Sequence, residues 1–274
     1  MTEPSHPALP FDTTIPNAAR MYNYWLGGKD NFAADREAAG RSTHAVPQLP
    51  WFARENRSFL GRAVRFCAGE GVSQFLDIGA GLPTMESVHQ VAERITADPR
   101  VVYVDHDPVV VTHSRALLAA PHAAAILGDV TRPDEILGDP EVRNLIDFAK
   151  PVAILLVAVL HFVPDELHPA DAMARLRGAL APGSFLVISH VEMLPGQMDG
   201  TSPQTDASRE LGEARKRMPS AAPVRSHEQI VDFFGDLPLV EPGLTEVWEW
   251  RPDGEVVANP SNVMTVIGGV ARKT

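Results

Sequence analysis

Cysteine is nearly missing: Cys67 is the single thiol among 274 residues. One thiol cannot close an internal disulfide, which excludes a disulfide-stapled scaffold and suits a reducing compartment. Long apolar runs are missing too. The longest, Val152 to Leu160, is far short of the ~20 residues a membrane-spanning helix needs. Positive charge is scarce: 24 Lys and Arg stand against 35 Asp and Glu, a formal net charge of −11. That balance argues against a nucleic-acid partner, which calls for a basic footprint. The first thirty residues lack the basic start and apolar run of a secretion signal. A cytoplasmic protein with no membrane partner is expected. No internal repeat or low-complexity tract is evident. With 45% hydrophobic residues the chain can bury a large core, and its length suits one large α/β domain or two small ones.

Residues 1–16, rich in Pro and polar side chains, read as a flexible arm. Residues 17–70 read as an N-terminal helical cap: a helix, a break at Gly27-Gly28, a second short helix, then a helix from Trp51 to Gly69. In that last helix Phe52, Leu60, Val64 and Cys67 can face inward, while Arg54, Arg57 and Arg65 read as a solvated face, with a site for an acidic substrate as the less favoured reading. Residues 71–274 alternate strand and helix. Strands are expected at Phe75–Ile78, Val101–Val104, Ala124–Leu127, Val152–Leu160 and Phe185–Val191. Helices are expected at Thr84–Ala97, Pro108 to about Ala120, Asp134–Phe148 with a Gly-Asp-Pro interruption, and Asp165–Leu180. Such β-α units with short links predict a doubly wound, mostly parallel sheet with helices on both faces. An insert at 192–225, with a helix over Ala207–Arg217, breaks the rhythm, and a capping box follows at Ser226 and Gln229. Two closing strands, near Leu239–Trp250 and Asn262–Ala271, can pair as an antiparallel hairpin.

The polar residues at the strand ends carry the chemistry. In Asp77-Ile78-Gly79-Ala80-Gly81, the glycines permit a tight turn and close backbone approach to a ligand. Thr84 is expected to open a helix whose free N–H groups favour an anion. Asp77 can orient the loop or accept from a ligand ammonium. Asp105 ends the second strand, where a ribose would present its hydroxyls; Asp107 reads as a helix N-cap. Asp129 ends the third strand and can accept from the exocyclic amine of an adenine held between apolar neighbours such as Ile78. Each acid also reads as ordinary turn or cap chemistry; their coincidence on three consecutive strands favours a ligand. A dinucleotide fingerprint would need a third glycine where Thr84 stands. A NAD-dependent oxidoreductase is therefore the less favoured alternative.

This constellation resembles the class I S-adenosylmethionine-dependent methyltransferases. Their first motif is an acid followed by Gly-x-Gly, and their second and third strands end in the ribose and adenine acids. The run Leu155 to Asp165, with its Leu160-His161-x-x-Pro164-Asp165 form, is similar to the motif beside the reacting methyl group in small-molecule methyltransferases. The string from Ile15 to Phe32, with Leu82-Pro83-Thr84, is similar to a bacterial subfamily of largely unassigned substrates, although Pro83 stands where many relatives carry glycine.

The resemblance implies a seven-stranded sheet with a reversed last strand and S-adenosyl-L-methionine as cofactor. It implies contacts from Asp77, Gly79, Ala80, Gly81, Asp105, His106, Asp129, Val130 and Ala158. Tyr22 and Lys29 can reach the ligand from an N-terminal segment folded over the mouth, or that segment can be a hydrophobic cluster on the sheet edge. A small-molecule acceptor, methylated on O or N, is expected, with His161 as candidate base and His190 as a weaker one; either can equally be a packed histidine. No Asp/Asn-Pro-Pro-aromatic motif and no Cys follows the fourth strand, which argues against methylation of DNA bases. No metal site is expected. A non-catalytic S-adenosylmethionine-binding protein remains an alternative, because methyl transfer demands no obligatory catalytic side chain.

Overall fold

Short apolar segments ending in a polar residue or glycine become the centre of a seven-stranded sheet. In the computed structural model the described residues are 12–83, 86–118, 122–194, 223, 225–261 and 263–274. Most of the expected arm, Thr84 and the expected helix at 207–217 lie outside them. Strands β1 (Gln74–Ile78), β2 (Arg100–Asp105), β3 (Ala123–Leu127), β4 (Ala153–Val157) and β5 (Phe185–Met193) run parallel. β6 (Thr245–Glu246) and β7 (Met264–Arg272) complete the order β3-β2-β1-β4-β5-β7-β6, with β7 antiparallel to both neighbours. The chain steps outward from β1 to β3, then returns to the other side of β1 with β4. That reversal opens a crevice beyond the carboxyl ends of β1 and β4, where open α/β sheets bind ligands.

Both faces of the sheet are covered because successive side chains point to opposite sides. Phe75, Val101, Ala153 and Leu155 pack with α3 (Leu49–Gly69), which buries Phe52, Phe59, Leu60, Val64 and Cys67. Leu76, Val102, Ile154 and Leu156 pack on the opposite face. There they meet α6 (Pro133–Gly138), α7 (Pro140–Leu145) and α8 (Pro169–Gly178) through Ile136, Val142, Met173 and Leu176. α3 is thus part of the sheet's own packing. The helices α1 (Ala18–Trp25) and α2 (Ala33–Ala45) lie beyond it.

The string from Ile15 to Phe32 is largely spent on holding α1 to α2. Asn17 caps α1, its Oδ1 accepting from Ala19 N at 2.8 Å. Asp35, fully buried, accepts from Asn17 N at 2.9 Å and Phe32 N at 2.8 Å, and pairs with the Arg20 Nε at 3.0 Å. Arg20 also lies 3.7 Å from Asp107, which caps α5 (Pro108–Leu117) at the end of the β2 loop. Asn31 Nδ2 donates to Asn23 Oδ1 at 2.7 Å.

Four elements differ from expectation, each for a local reason. α4 is Val88–Ala92, shorter than expected: Ser87 and Gln90 form the capping box that opens it, while Thr84 lies outside the described residues. β4 stops at Val157 because Ala158 turns left-handed, with φ +61°. The helix expected from Asp165 begins at Pro169, after His168 at φ +50°. The strand expected over Leu239–Trp250 shrinks to Thr245–Glu246 plus a bridge from Leu239 to Ala271, since Pro242-Gly243 interrupts it. The expected box at Ser226 and Gln229 opens α9 (His227–Val231). Among the described residues, no helix is long and apolar enough to cross a membrane.

Candidate functional site

The crevice holds a cavity of about 760 Å³. Its floor is the loops after β1, β2 and β3; α1 and α3 close one side and the 157–167 segment the other. Gly79 (φ +76°) and Gly81 (φ +66°) take the left-handed backbone that disfavours other residues. A side chain on Gly79 would collide with Val159. Gly79 N donates to Val104 O at 2.7 Å, which seats the turn on β2.

Asp77, Gly79, Ala80, Gly81, Asp105, His106, Asp129, Val130, Ala158 and Tyr22 all line this cavity. Asp77 is 3% exposed, and no hydrogen bond from the described residues acts on its carboxylate. Burial pushes its pKa up to about 7; Arg57 opposes that rise and Asp105 adds to it. Asp105 Oδ2 accepts from Gly81 N at 2.9 Å and its Oδ1 from Asp107 N at 2.9 Å. Burial raises its pKa, and those backbone bonds hold the rise back. The acid therefore ties the glycine turn to the β2 end while facing the cavity. Asp129 is exposed; its Oδ1 accepts from Thr131 N at 2.9 Å and Thr131 Oγ1 at 2.8 Å, a turn role, while the residue still borders the cavity. Ile78 and Val130 supply apolar surface near it.

A chain of hydrogen bonds braces the wall. Ala158 N donates to Ser189 Oγ at 2.9 Å, and Ser189 Oγ donates to Asn56 Oδ1 at 2.6 Å. Asn56 Nδ2 donates to Tyr22 Oη at 3.0 Å, and Tyr22 donates to Ala53 O at 2.9 Å. Tyr22 thus borders the cavity with its hydroxyl committed to α3, and burial raises its pKa.

Two expected residues stand elsewhere. Lys29 is exposed and outside the cavity lining, because the chain turns away after α1 at Gly27, φ +80°. His161 is buried in the 3-10 turn Leu160–Phe162, which sends Phe162 and not His161 to the cavity. His161 Nδ1 has no partner among the described residues, and burial, helped by His190 and Arg225, pulls its pKa well below that of a free imidazole. His190 packs against it with ring centres 5.4 Å apart. Arg225 Nη1 lies 3.2 Å from His190 Nε2, and a guanidinium can only donate. Nδ1 therefore carries the proton and donates to Val191 O at 2.6 Å. Burial brings the His190 pKa down to about 4. Arg225, 2% exposed, also donates to Leu160 O at 2.6 Å, Val163 O at 2.7 Å and Asp165 Oδ1 at 2.7 Å. It clamps both ends of the turn that walls the cavity.

The preferred reading put Arg57 on a solvated face. It was grouped with Arg54 and Arg65; Arg54 is exposed and Arg65 pairs with Asp253 at 2.6 Å, but Arg57 lines the cavity. Its position three before Leu60 and seven before Val64, on one helical stripe, was the available signal.

A reversed strand order, a left-handed glycine turn and acids on three strand ends define a class I adenosyl-cofactor methyltransferase. The comparisons agree. Residues 4–274 match the model of the S-adenosyl methyltransferase family, and the chain belongs to that family. A crystal structure of a provisional methyltransferase from Thermobifida fusca is 41% identical, with TM-score 0.85 over 96% of this chain and 97% of that one. A DUF574 family protein from Streptomyces avermitilis is 36% identical, with TM-score 0.86 over 96% of this chain and 99% of that one. No curated protein matches. The chain is an S-adenosylmethionine-dependent methyltransferase, with S-adenosylmethionine as its cofactor.

Proposed function

We propose that the enzyme methylates a small, largely apolar acceptor on oxygen or nitrogen. One observation carries this reading: beside the β4 exit the cavity wall is Phe162, Val163, Pro164 and Leu167, with Glu166 as the charged residue on that wall, and Leu26 lines the cavity from α1. Such a surface favours an apolar body and disfavours anions and the phosphate backbone of nucleic acids. In the proposed assignment Asp105 takes the ribose hydroxyls, Asp129 the adenine amine, and Ile78 and Val130 flank the ring. Asp77 takes the ammonium, and Gly79 to Gly81 let the backbone approach. Bound S-adenosylmethionine supplies a methyl group already activated on a sulfonium. This chain's task is then to hold the nucleophile in line and exclude water. Phe162 and Leu26 shape that approach. Proton removal is not assigned to His161, whose ring does not reach the cavity.

We further read α1–α2 as the cap over the mouth and residues 71–274 as the cofactor-binding domain. The buried free thiol of Cys67 suits a reducing cytoplasm, and the two solved relatives come from bacteria. The test is release of S-adenosylhomocysteine across a panel of phenols, aromatic amines, carboxylates, DNA and RNA. Release with an uncharged or cationic apolar member supports the reading. Release with nucleic acid alone overturns it.

A further inference from the structure

We propose that Glu166 selects the methyl acceptor by pairing with an ammonium group, so that the acceptor is an apolar amine. This rests on the small-acceptor reading above and narrows it from any apolar molecule to a cationic one.

Two carboxylates stand side by side at the end of the β4-exit wall, and only one is engaged. Asp165 Oδ1 accepts from Arg225 Nη2 at 2.7 Å and from its Nε at 3.2 Å. Glu166 lines the cavity, is exposed, and has no hydrogen bond and no ion pair among the described residues. Its backbone is nevertheless fixed. Glu166 is the middle residue of the 3-10 turn Asp165–Leu167, in which Leu167 N donates to Pro164 O at 3.1 Å and His168 N to Asp165 O at 2.9 Å. The Arg225 clamp holds the same turn through Val163 O and Asp165. An ionised carboxylate only accepts, so the group that completes Glu166 is a donor, and a charged donor makes the stronger bond.

The protein's own cations do not fill that role. Arg225 is 2% exposed and already committed to Leu160 O, Val163 O, Asp165 and His190. The basic side chains among the described lining residues are Arg57 and His106. Arg57 stands on α3, which closes the opposite side, and His106 follows β2, two strands away from β4. His168, two residues on, is exposed and outside the lining. The neighbouring surface sets the rest of the ligand. Leu167 is 52% exposed, and with Phe162, Val163 and Pro164 it forms an apolar strip beside the free carboxylate. Hydrocarbon laid on that strip leaves water favourably. An apolar amine covers the strip and ends on Glu166. A neutral alcohol covers the strip but brings no charge, and a carboxylate meets a like charge.

A solvated rim charge would give no such preference, and calorimetry separates the two roles. The enzyme is first saturated with S-adenosylhomocysteine, which in the proposed assignment covers Asp77, Asp105 and Asp129. The probes are phenyl, indolyl and cyclohexyl skeletons, each as the 2-substituted ethylamine, ethanol and propionate. Within each set the amine is expected to bind about tenfold tighter than the alcohol, and the propionate more weakly than both. Glu166→Gln keeps the shape without the charge. It is expected to bring the amine down to the alcohol, while the alcohol moves less than about twofold. A second measurement uses the unaltered protein: at about 1 M salt, where screening acts over ~3 Å, the amine's advantage should fall to about twofold. An alcohol or propionate that binds as tightly as its amine overturns the proposal. So does a preference that Glu166→Gln or salt leaves intact, because another feature then supplies it. If no member of any set binds, the small-acceptor reading falls and this proposal with it, a result distinct from binding without preference.

Discussion

Asp77→Asn is expected to make the ligand-free enzyme more stable and worse at binding. Asp77 is 3% exposed with no hydrogen-bond donor among the described residues, and burial lifts its carboxyl from 3.8 to about 7. Below the unfolded value, folded and unfolded chains both hold the proton, and the residue is neutral in each. As pH rises past that point the unfolded chain ionises while the folded one does not, so stability falls until the folded carboxyl also ionises near pH 7. The full deficit corresponds to at most about 4 kcal/mol, since each pH unit of displacement is worth about 1.4 kcal/mol. An amide of the same shape removes it. For a chain of this size each kcal/mol moves the melting temperature by roughly 2 °C, so the variant should melt up to about 8 °C higher at pH 8. Scanning fluorimetry on the ligand-free protein from pH 5 to 8 reads this directly. The gap should widen with pH up to about 7 and level off above it, and S-adenosylhomocysteine should no longer raise the melting temperature of the variant. A variant that melts lower at pH 8, or a gap that ignores pH, would refute the reasoning.

The same carboxyl sets a pH dependence for the ligand. Asp77 accepts an ammonium only when ionised, so the Kd for S-adenosylhomocysteine should rise toward tenfold per unit as pH falls below about 7, and Asp77→Asn should flatten that slope in calorimetry. Gly79→Ala combines a left-handed backbone with a collision against Val159; a loss of about 2–4 kcal/mol in urea unfolding is expected, with cofactor binding abolished. Arg225→Gln strips the carbonyls of Leu160 and Val163 of their donors and unpairs Asp165. It should cost about 3–5 kcal/mol in the same assay, and a cost under about 1 kcal/mol would show that the turn holds itself. His161→Gln is expected to leave the pH profile of S-adenosylhomocysteine release unchanged above pH 6, because the imidazole is already neutral there; a lost limb in that profile would restore His161 as the base.

Much of this was legible because the signals are local. Apolar segments stopped by Asp or Gly announced β1 to β5, and their alternation put Phe75 and Leu76 on opposite faces. Asp107-Pro108 announced the start of α5, and Ser226 with Gln229 that of α9. The floor of the site was legible for the same reason, since parallel strands deliver Asp77, Asp105 and Asp129 to one edge of the sheet. What escaped was set by longer-range contacts or by competing local ones. The capping box that opens α4 lies at Ser87 and Gln90, a signal the reading passed over. Ala158 turned left-handed against its usual preference because Ser189 holds its N–H. His161 and Phe162 are adjacent, and only the 3-10 turn decides which one meets the cavity. Arg57 lies far from Asp77 along the chain, so no spacing rule joins them.

A crystal structure with S-adenosylhomocysteine bound tests the central claim most directly. The account predicts the adenine between Ile78 and Val130, the ribose on Asp105 and the amino-acid end at Asp77. Density for the ligand outside the β1–β4 crevice, or those side chains turned away from it, would contradict the account.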